Sequence, residues 1–275
     1  MVGVSVHFYG KALMHPMLNT AIKAARRAAT VINRAAFDVD RVAITEKGHN
    51  DFVTDIDQAA EQAIIETLLK AYPDHAILAE ESGASKNLND ESEFAWIIDP
   101  IDGTTNFMHG YPNYCVSIAL AQRGIVTQAV IYDPVRNDLF TASKGGGAFL
   151  NDKRIRVTKH DRVTNTLLCS GHGAGPRALD DYLKMYAVVA ERCQGMRSAG
   201  SAALELANVA AGRSDGFFEK GLKPWDIAAG SLLVTEAGGI VGELNGESSY
   251  LYKGDIIAAS PKVFGQLVTL LSPFA

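Results

Sequence analysis

The sequence predicts a layered α/β fold, because amphipathic helical segments alternate with short apolar runs along most of the chain. The protein has 275 residues, of which 47% are hydrophobic and 21% are charged, the ordinary balance of a globular protein. A chain of this length can bury a substantial core, as one large domain or two modest ones. We therefore expect sheets with helices packed on their faces.

Two helices are predicted at the start of the N-terminal half. Residues 14–36 are rich in Ala, Ile and Leu with basic residues interspersed, which is typical of an amphipathic helix. Residues 46–51, with the sequence EKGHND, are predicted to form a loop. A second helix is expected to begin at Thr54 and to end at Tyr72, because Pro73 follows.

Short apolar runs predict the strands of this half. Residues 75–79 predict a strand that stops at Glu80, and residues 82–93 are polar and are expected to be exposed. The runs 116–133 and 139–149 predict strands that are joined by turns.

The C-terminal half is expected to alternate helices with short strands. A polar region, 151–163, separates it from the first half. Helices are predicted at 178–192, 201–211 and 226–238, and strands at 215–219, 239–241 and 256–259, after which residues 262–271 close the chain. The predicted division of the chain is an N-terminal extension at 1–13 that we expect to be disordered, an α+β half at 14–152 and an α/β half at 153–275.

Composition argues against several classes of function. The formal net charge of −5 gives no general reason to bind DNA, RNA or an anionic membrane. No apolar run reaches the ~18 residues of a membrane span, and the N-terminus lacks a signal-peptide pattern, so we expect a cytoplasmic protein. The three cysteines include no C-x-x-C pair, which favours free thiols over a thiolate zinc site.

The strongest functional signal is the segment WIIDPIDGTTNF at residues 96–107. An apolar run delivers Asp99 and Asp102 to the end of a predicted strand, and Gly103 leads into a helix start. Two neighbouring carboxylates repel each other unless one takes up a proton or a divalent cation binds between them. The N–H groups at the helix start suit a phosphate. The segment therefore predicts metal-assisted phosphate chemistry.

Other acidic residues lie in comparable positions, where an apolar run ends or a helix begins. The ends of strands in layered α/β folds are where sites usually form, and magnesium prefers oxygen ligands. The groups that would suit magnesium are Glu80, Asp99, Asp102, Asp226 and the carbonyl of Ile101. Two such ions ~4 Å apart can clamp the attacking and leaving oxygens of a phosphoryl transfer. The sequence has no HExxH motif and no evident histidine partner for a serine nucleophile, so a zinc protease and a serine hydrolase are not expected.

Three motifs give the chain a specific resemblance. AEESG at 79–83, WIIDPIDGTTNF at 96–107 and KPWDIAAGSLLVTEAGG at 223–239 resemble the inositol monophosphatase family of magnesium-dependent, lithium-sensitive phosphatases. Within the family, the segments 47–57, 200–212 and 215–226 are most similar to the bacterial extragenic-suppressor type. The resemblance implies an αβαβα sandwich, a homodimer and an active site between two sub-structures of the chain.

The resemblance also implies roles for individual residues. Glu80, Asp99 and the Ile101 carbonyl match ligands of a first Mg²⁺, and Asp99, Asp102 and Asp226 match ligands of a second, with two or three ions in the site. Asp57, Thr104 and Glu80 match catalytic residues, the first two as the pair that orients and deprotonates a water. Substrate-binding positions are Asp102, Gly103, Thr104, Arg197, Gly200, Ser201, Ala202, Glu219 and Asp226.

The chain departs from the family pattern in two places. Many members place a lysine five residues before the acid that Asp51 matches, where this chain has Glu46, so Lys47 could serve only through a register shift. Ser198 follows Arg197 where the suppressor type can carry a second arginine, so this chain lacks a charge that interface or partner contacts could use.

The function that these residues predict is hydrolysis of a phosphate monoester by metal-activated water, with myo-inositol 1-phosphate as the first substrate to test. Fructose 1,6-bisphosphate and nucleotide 3′-phosphates are alternatives, because phosphatases for them share the metal motif. The suppressor-type resemblance implies a further alternative, in which the protein regulates ribosomal RNA transcription with RNA polymerase or Nus antitermination factors and phosphatase activity is incidental.

Overall fold

The computed structural model describes residues 15–37, 44–48, 51–89, 92–172 and 176–275. The predicted extension at 1–13 lies outside these residues, as do the side chains of Lys47 and Asp51. Within the described part of the chain, no helix is long and apolar enough to cross a membrane.

The described residues form eight helices and fifteen strands. The helices are α1 (Pro16–Ala35), α2 (Asp55–Ala71), α3 (Thr104–Met108), α4 (Pro176–Ala190), α5 (Ala202–Ala210), α6 (Pro224–Glu236), α7 (Tyr250–Lys253) and α8 (Pro261–Leu271). The strands are β1 (Ile44–Gly48), β2 (Asp51–Thr54), β3 (Ala76–Ala79), β4 (Gly83–Ala84), β5 (Phe94–Asp102), β6 (Cys115–Gln122), β7 (Ile125–Asp133), β8 (Asp138–Ser143), β9 (Gly147–Leu150), β10 (Lys153–Arg154), β11 (Leu167–Ser170), β12 (Gly195–Arg197), β13 (Gly216–Glu219), β14 (Ile240–Gly242) and β15 (Ile256–Ala259).

The strands form two main sheets and one hairpin. The larger sheet has the order β10-β9-β8-β7-β6-β5-β3-β4, and its neighbouring strands are antiparallel except for β3 and β5. The smaller sheet has the order β12-β11-β13-β15-β14, in which β11 runs parallel to both of its neighbours. Strands β1 and β2 pair separately as an antiparallel hairpin.

Helices cover both main sheets, which gives five layers. Helices α1 and α2 pack on the outer face of the larger sheet, and α5 and α6 fill the space between the sheets. Helices α4 and α8 cover the outer face of the smaller sheet. Helix α6 is apolar on nearly all sides because both sheets cover it. The predicted αβαβα sandwich is confirmed.

Some predicted elements are wrong or missing at the level of single strands. Residues 46–51 were expected to form a loop, but β1 and β2 reach into this segment and pair as a hairpin. The polar segment 82–93 includes β4, which pairs with the end of β3. Strand β11 lacks a sequence prediction, because its short apolar run follows a polar region. In each case the strand is defined by its pairing partner more than by its own pattern.

Candidate active site

An irregular turn at the end of β5 brings Asp99 and Asp102 to the same side. Asp99 pairs with Ser117 of β6 and Asp102 pairs with Cys115, so two residues of β5 lie opposite one residue of β6. In a regular strand, residues three apart point to opposite faces, and a bulge of this kind redirects one of them. The bulge thus creates the carboxylate pair.

Gly103 closes this turn and begins α3. Its φ is +98°, a conformation that favours glycine. An added Cβ would also lie 3.0 Å from the carbonyl oxygen of Asn113 and 3.1 Å from that of Gly200. A side chain at this position would therefore push the turn away from the segment that contains Gly200.

Asp226 joins the pair from the first turn of α6. One carboxylate oxygen from each of Asp99, Asp102 and Asp226 lies within 4.8 Å of the others. Asp226 is held there because its Oδ2 accepts a hydrogen bond of 2.6 Å from the backbone N–H of Lys223. Glu80, which follows β3, lies beside Asp99 and forms a hydrogen bond with it. The structure therefore brings together the four predicted acidic ligands.

The electrostatics of this cluster favour a bound cation. Burial, followed by the charge of Glu80 and of the two other aspartates, raises the pKa of Asp99 well above its usual range. Burial also raises the pKa of Asp102 to about 6, although the hydroxyl of Ser201 and backbone N–H groups lower it. Oδ1 of Asp99 is buried and has no hydrogen-bond partner among the described residues. A set of crowded, buried carboxylate oxygens with too few donors fits a hard divalent cation.

Thr104 and Asp57 form a second functional unit next to the cluster. The hydroxyl of Thr104 lies 3.1 Å from Oδ1 of Asp57 and 3.0 Å from the carbonyl oxygen of Ile101. The other oxygen of Asp57 accepts a 2.8 Å hydrogen bond from the N–H of Thr54, which caps α2. Burial raises the pKa of Asp57 in spite of these hydrogen bonds. This geometry can orient a water and receive its proton.

A cavity of about 280 Å³ adjoins the acidic cluster. Its lining includes the predicted substrate residues Asp102, Gly200, Ser201, Ala202, Glu219 and Asp226. Ser201 donates a hydrogen bond to Oδ2 of Asp102, which also accepts one of 2.7 Å from the N–H of Ala203. The segment that begins α5 is thereby attached directly to the carboxylate cluster.

Glu219 ends β13 at the wall of this cavity. The side chain is buried, and burial followed by the charges of Asp226 and Asp102 raises its pKa well above the usual range. Its carboxylate packs against the backbone of Gly171, where an added Cβ would clash with Oε2 of Glu219. Gly171 therefore leaves the space that Glu219 needs.

Arg197 lies in a different place. It lines a neighbouring cavity of about 450 Å³ together with Arg136 and Arg213, and Glu205 lines both cavities. The segment from Arg197 to Ser201 thus separates the two cavities. The prediction that Arg197 contacts substrate stays a prediction.

Three residues at or beside the site had no predicted role. Ser170 and His172 line the cavity, and Ser170 lies at the end of β11, which had no sequence prediction. Asn106 belongs to the central motif, but two of its three carbonyl partners lie more than 90 positions away, so no local pattern could reveal them.

Known proteins are similar to this chain both in sequence and in fold. The family model described as "Inositol monophosphatase family" matches residues 13–272. The putative Nus factor SuhB of Neisseria meningitidis serogroup B is 48% identical over 260 residues, which covers 94% of this chain and 99% of that protein. The Nus factor SuhB of Escherichia coli K12 is 47% identical over 251 residues, covering 91% and 93%.

Solved structures agree with the sequence matches. The extragenic suppressor protein SuhB of Bartonella henselae has a TM-score of 0.90 and 39% identity, covering 94% of this chain and 98% of that chain. Inositol monophosphatase from Anabaena has a TM-score of 0.84 and 36% identity, covering 94% and 95%. The predicted resemblance, including the closer similarity to the suppressor type, is confirmed.

Proposed function

Because the chain belongs to the inositol monophosphatase family, we propose that it is a magnesium-dependent phosphatase that hydrolyses myo-inositol 1-phosphate to myo-inositol and phosphate. The observation that carries the proposal is the convergence of Asp99, Asp102 and Asp226 within 4.8 Å, next to the Thr104–Asp57 pair. The same cluster adjoins a small cavity that contains further polar groups. We also propose a homodimer, as the family resemblance implies.

The acidic cluster would hold two or three magnesium ions. Glu80, Asp99 and the carbonyl of Ile101 would hold one, and Asp99 with Asp102 and Asp226 would hold another. When bound, magnesium lowers the pKa of water and neutralises charge on the phosphoryl oxygens. The unpartnered Oδ1 of Asp99 supports this assignment, because a buried carboxylate oxygen requires a partner.

Thr104 and Asp57 would prepare the attacking water. The Thr104 hydroxyl donates to Asp57 or to the Ile101 carbonyl, so its lone pairs stay available to accept a hydrogen bond from the water. Asp57 has a raised pKa, which favours it as the receiver of the proton that leaves. The backbone N–H groups of Gly103 and Thr104 would bind phosphate oxygens.

The neighbouring cavity would bind the alcohol part of the substrate. Glu219 would accept hydrogen bonds from ring hydroxyls, and the backbone of Gly200, Ser201 and Ala202 would contact the ring face. A contact with Arg197 would have to be made from the adjacent cavity. A cavity of about 280 Å³ favours a small polyol monophosphate over a nucleotide.

Phosphate release from inositol 1-phosphate with magnesium is the direct test. We expect activity that magnesium supports and added lithium inhibits, and we expect slower release from fructose 1,6-bisphosphate and adenosine 3′,5′-bisphosphate. The variant Glu236→Gln is a control for the removal of an acid outside the site, where Glu236 accepts hydrogen bonds from the N–H groups of Gly145 and Gly147 at 2.6 and 2.7 Å. It should keep the magnesium-dependent activity. A preparation that folds but releases no phosphate from any of these esters contradicts the proposal.

A second candidate function follows from the names of the relatives. Several relatives at 46–48% identity are described as Nus factor SuhB or putative Nus factor SuhB. We propose as the alternative that this protein acts with RNA polymerase or Nus factors and that its phosphatase activity is incidental. Asp99→Asn separates the two functions: co-purification with polymerase and an unchanged cellular phenotype in this variant favour the regulatory function.

A further inference from the structure

We propose that Asn106 is a positioning residue that holds residues 199 and 200, at the start of the predicted ring-contacting segment 200–202, against the metal-binding turn and thereby sets selectivity for polyhydroxylated ring substrates. The inference rests on the phosphatase function proposed above. It concerns a side chain that does not line the substrate cavity and that has no role in the predicted ligand or catalytic sets.

Asn106 links two parts of the chain that are distant in sequence. It lies on α3, directly after the metal-binding turn. Its Nδ2 is 2.7 Å from the carbonyl oxygen of Asn113, 2.8 Å from that of Ala199 and 3.2 Å from that of Gly200. One of these acceptors, Gly200, belongs to the predicted ring-contacting residues 200–202, and Ala199 directly precedes them.

The fit around Asn106 is close. Gly200 has a φ of +77°, and an added Cβ would lie 3.1 Å from Nδ2 of Asn106. A Cβ added to Gly103 would lie 3.1 Å from the carbonyl oxygen of Gly200. The two glycines allow α3 and the ring-contacting segment to approach within hydrogen-bond distance of the Asn106 amide.

The neighbouring hydrogen bonds show why the Asn106 amide controls the position of the backbone at residues 199 and 200. The Ala199 carbonyl also accepts a 3.0 Å hydrogen bond from Nδ2 of Asn113, and the Ala199 N–H donates one of 3.2 Å to Glu205. Farther along, Ser201 is bonded to Asp102. Asn106 binds the stretch between these points, so its loss would release the carbonyl of Gly200 and leave the carbonyl of Ala199 with the Asn113 bond alone, while the Asp102 contact stays in place.

A shift of this segment would change ring recognition more than phosphate chemistry. The catalytic acids reach the cluster through β5, α6 and the turn after β3, and none of the three carbonyls that the Asn106 amide contacts lies in these elements. The contacts of residues 200–202 with a substrate ring do depend on it. A displacement of ~1 Å in a substrate-positioning group can cost ~10²-fold in rate.

The test compares two substrates in Asn106→Asp, which places a carboxylate against the carbonyl oxygens. We expect kcat/KM for inositol 1-phosphate to fall by ~10²-fold, and kcat/KM for phenyl phosphate, which has no ring hydroxyls, to fall by less than about threefold. The matched control is Asn87→Asp, because Nδ2 of Asn87 likewise donates to two carbonyls, of Asp74 and His75 at 3.3 Å, away from the site. The control should leave the ratio of the two kcat/KM values unchanged.

Equal losses for both substrates overturn the inference, because a purely structural bond lowers the folded fraction for every substrate alike. An unchanged ratio with unchanged activity overturns it as well. If Asn106→Asp does not fold, Asn106→Ala decides, with a smaller but still selective loss expected. A wild-type protein that hydrolyses phenyl phosphate but shows no preference for inositol 1-phosphate refutes this inference and leaves the phosphatase function standing, whereas a wild-type protein inactive on both esters refutes the proposed function itself.

Discussion

Two sets of buried carboxylates differ in the number of hydrogen-bond donors around them. Glu61 accepts hydrogen bonds from the N–H groups of Glu81 and Ser82 at 2.8 and 2.9 Å. Asp133 accepts two backbone N–H bonds at 2.9 Å and a 2.7 Å bond from the guanidinium of Arg136. Donors of this kind satisfy a buried carboxylate, so both groups stabilise local structure without a metal.

Asp99 shows the opposite condition. It is buried beside three other acids, and its Oδ1 has no partner in the described part of the chain. The difference teaches that burial of an acid does not by itself mark a functional site; Asp99 differs from Glu61 and Asp133 in its unpartnered oxygen and in its neighbouring acids. The two sets also cooperate, because Glu61 fixes the turn that immediately follows Glu80.

The largest expected effect comes from removing the charge of Asp99. We expect Asp99→Asn to lower magnesium-dependent phosphate release by more than about 10³-fold. Without metal, its melting temperature should equal or exceed that of the wild type, because an amide replaces a buried carboxyl whose charged form is disfavoured by burial and by the neighbouring acids. Magnesium should raise the melting temperature of the wild type only. Thermal melts with and without magnesium check this, and near-normal turnover in the variant would refute the metal assignment.

The hydroxyl of Thr104 gives the next largest effect. Thr104→Ala should lower kcat by about 10²-fold with little change in KM, since the proposed task of the hydroxyl is to orient water in the transition state. Steady-state kinetics at saturating magnesium measure both constants. Thr30→Ala is a suitable control, because the Thr30 hydroxyl only bonds a carbonyl within α1. A change confined to KM would contradict this role.

Substitution of Asp133 should lower stability and spare activity, which is the reverse of the effect expected for Asp99. Asp133→Asn breaks the ion pair with Arg136 and should lower the free energy of unfolding by about 2 kcal/mol. Activity per folded molecule at 25 °C should stay within about twofold of the wild type, because the bond network lies outside the acidic cluster. Denaturant titration and phosphate release measure the two quantities. If Asp133→Asn lost activity without losing stability, Asp133 would not differ from Asp99 in the way proposed here.

His75 offers the smallest test, because it is a half-buried titratable group outside the acidic cluster. Its Nδ1 is buried and lacks a partner among the described residues, and its ring stacks between Tyr72 and Phe94 at 4.8 and 4.7 Å. Burial lowers the pKa of His75, although Asp74 and Glu93 oppose the shift. The folded state then binds fewer protons than the unfolded state, so stability is complete above the usual imidazole pKa of about 6.5 and declines as the pH falls below it.

We therefore expect His75→Phe to flatten the loss of stability between neutral and mildly acidic pH, because the phenyl ring keeps the stack and removes the titrating group. Chemical unfolding at a series of pH values measures the slope. An identical slope in the wild type and the variant would show that His75 does not titrate differently in the folded state.

Much of the fold was predictable because it depends on local patterns. Helix α1 follows from an amphipathic repeat, and α2 from a Thr54 cap and a following Pro73. The hairpin of β1 and β2 and the short strand β11 were not predicted. The hairpin strands are largely polar and β11 follows a polar region, so pairing with neighbouring strands defines them more than their own pattern does. The N-terminal extension and the side chain of Lys47 lie outside the described residues, and their predictions stay open.

The sequence alone determined the chemistry of the site: which acids the chain carries, the turn that separates Asp99 from Asp102, and the family to which these motifs belong. Only the tertiary structure decided how the acids meet, because a bulge in β5 and the first turn of α6 set the directions of three carboxylates. It also placed Arg197 in a separate cavity and joined Asn106 to a segment more than 90 residues away. Residue type fixes which interactions are possible, whereas distance and direction between remote segments depend on how the sheets pack.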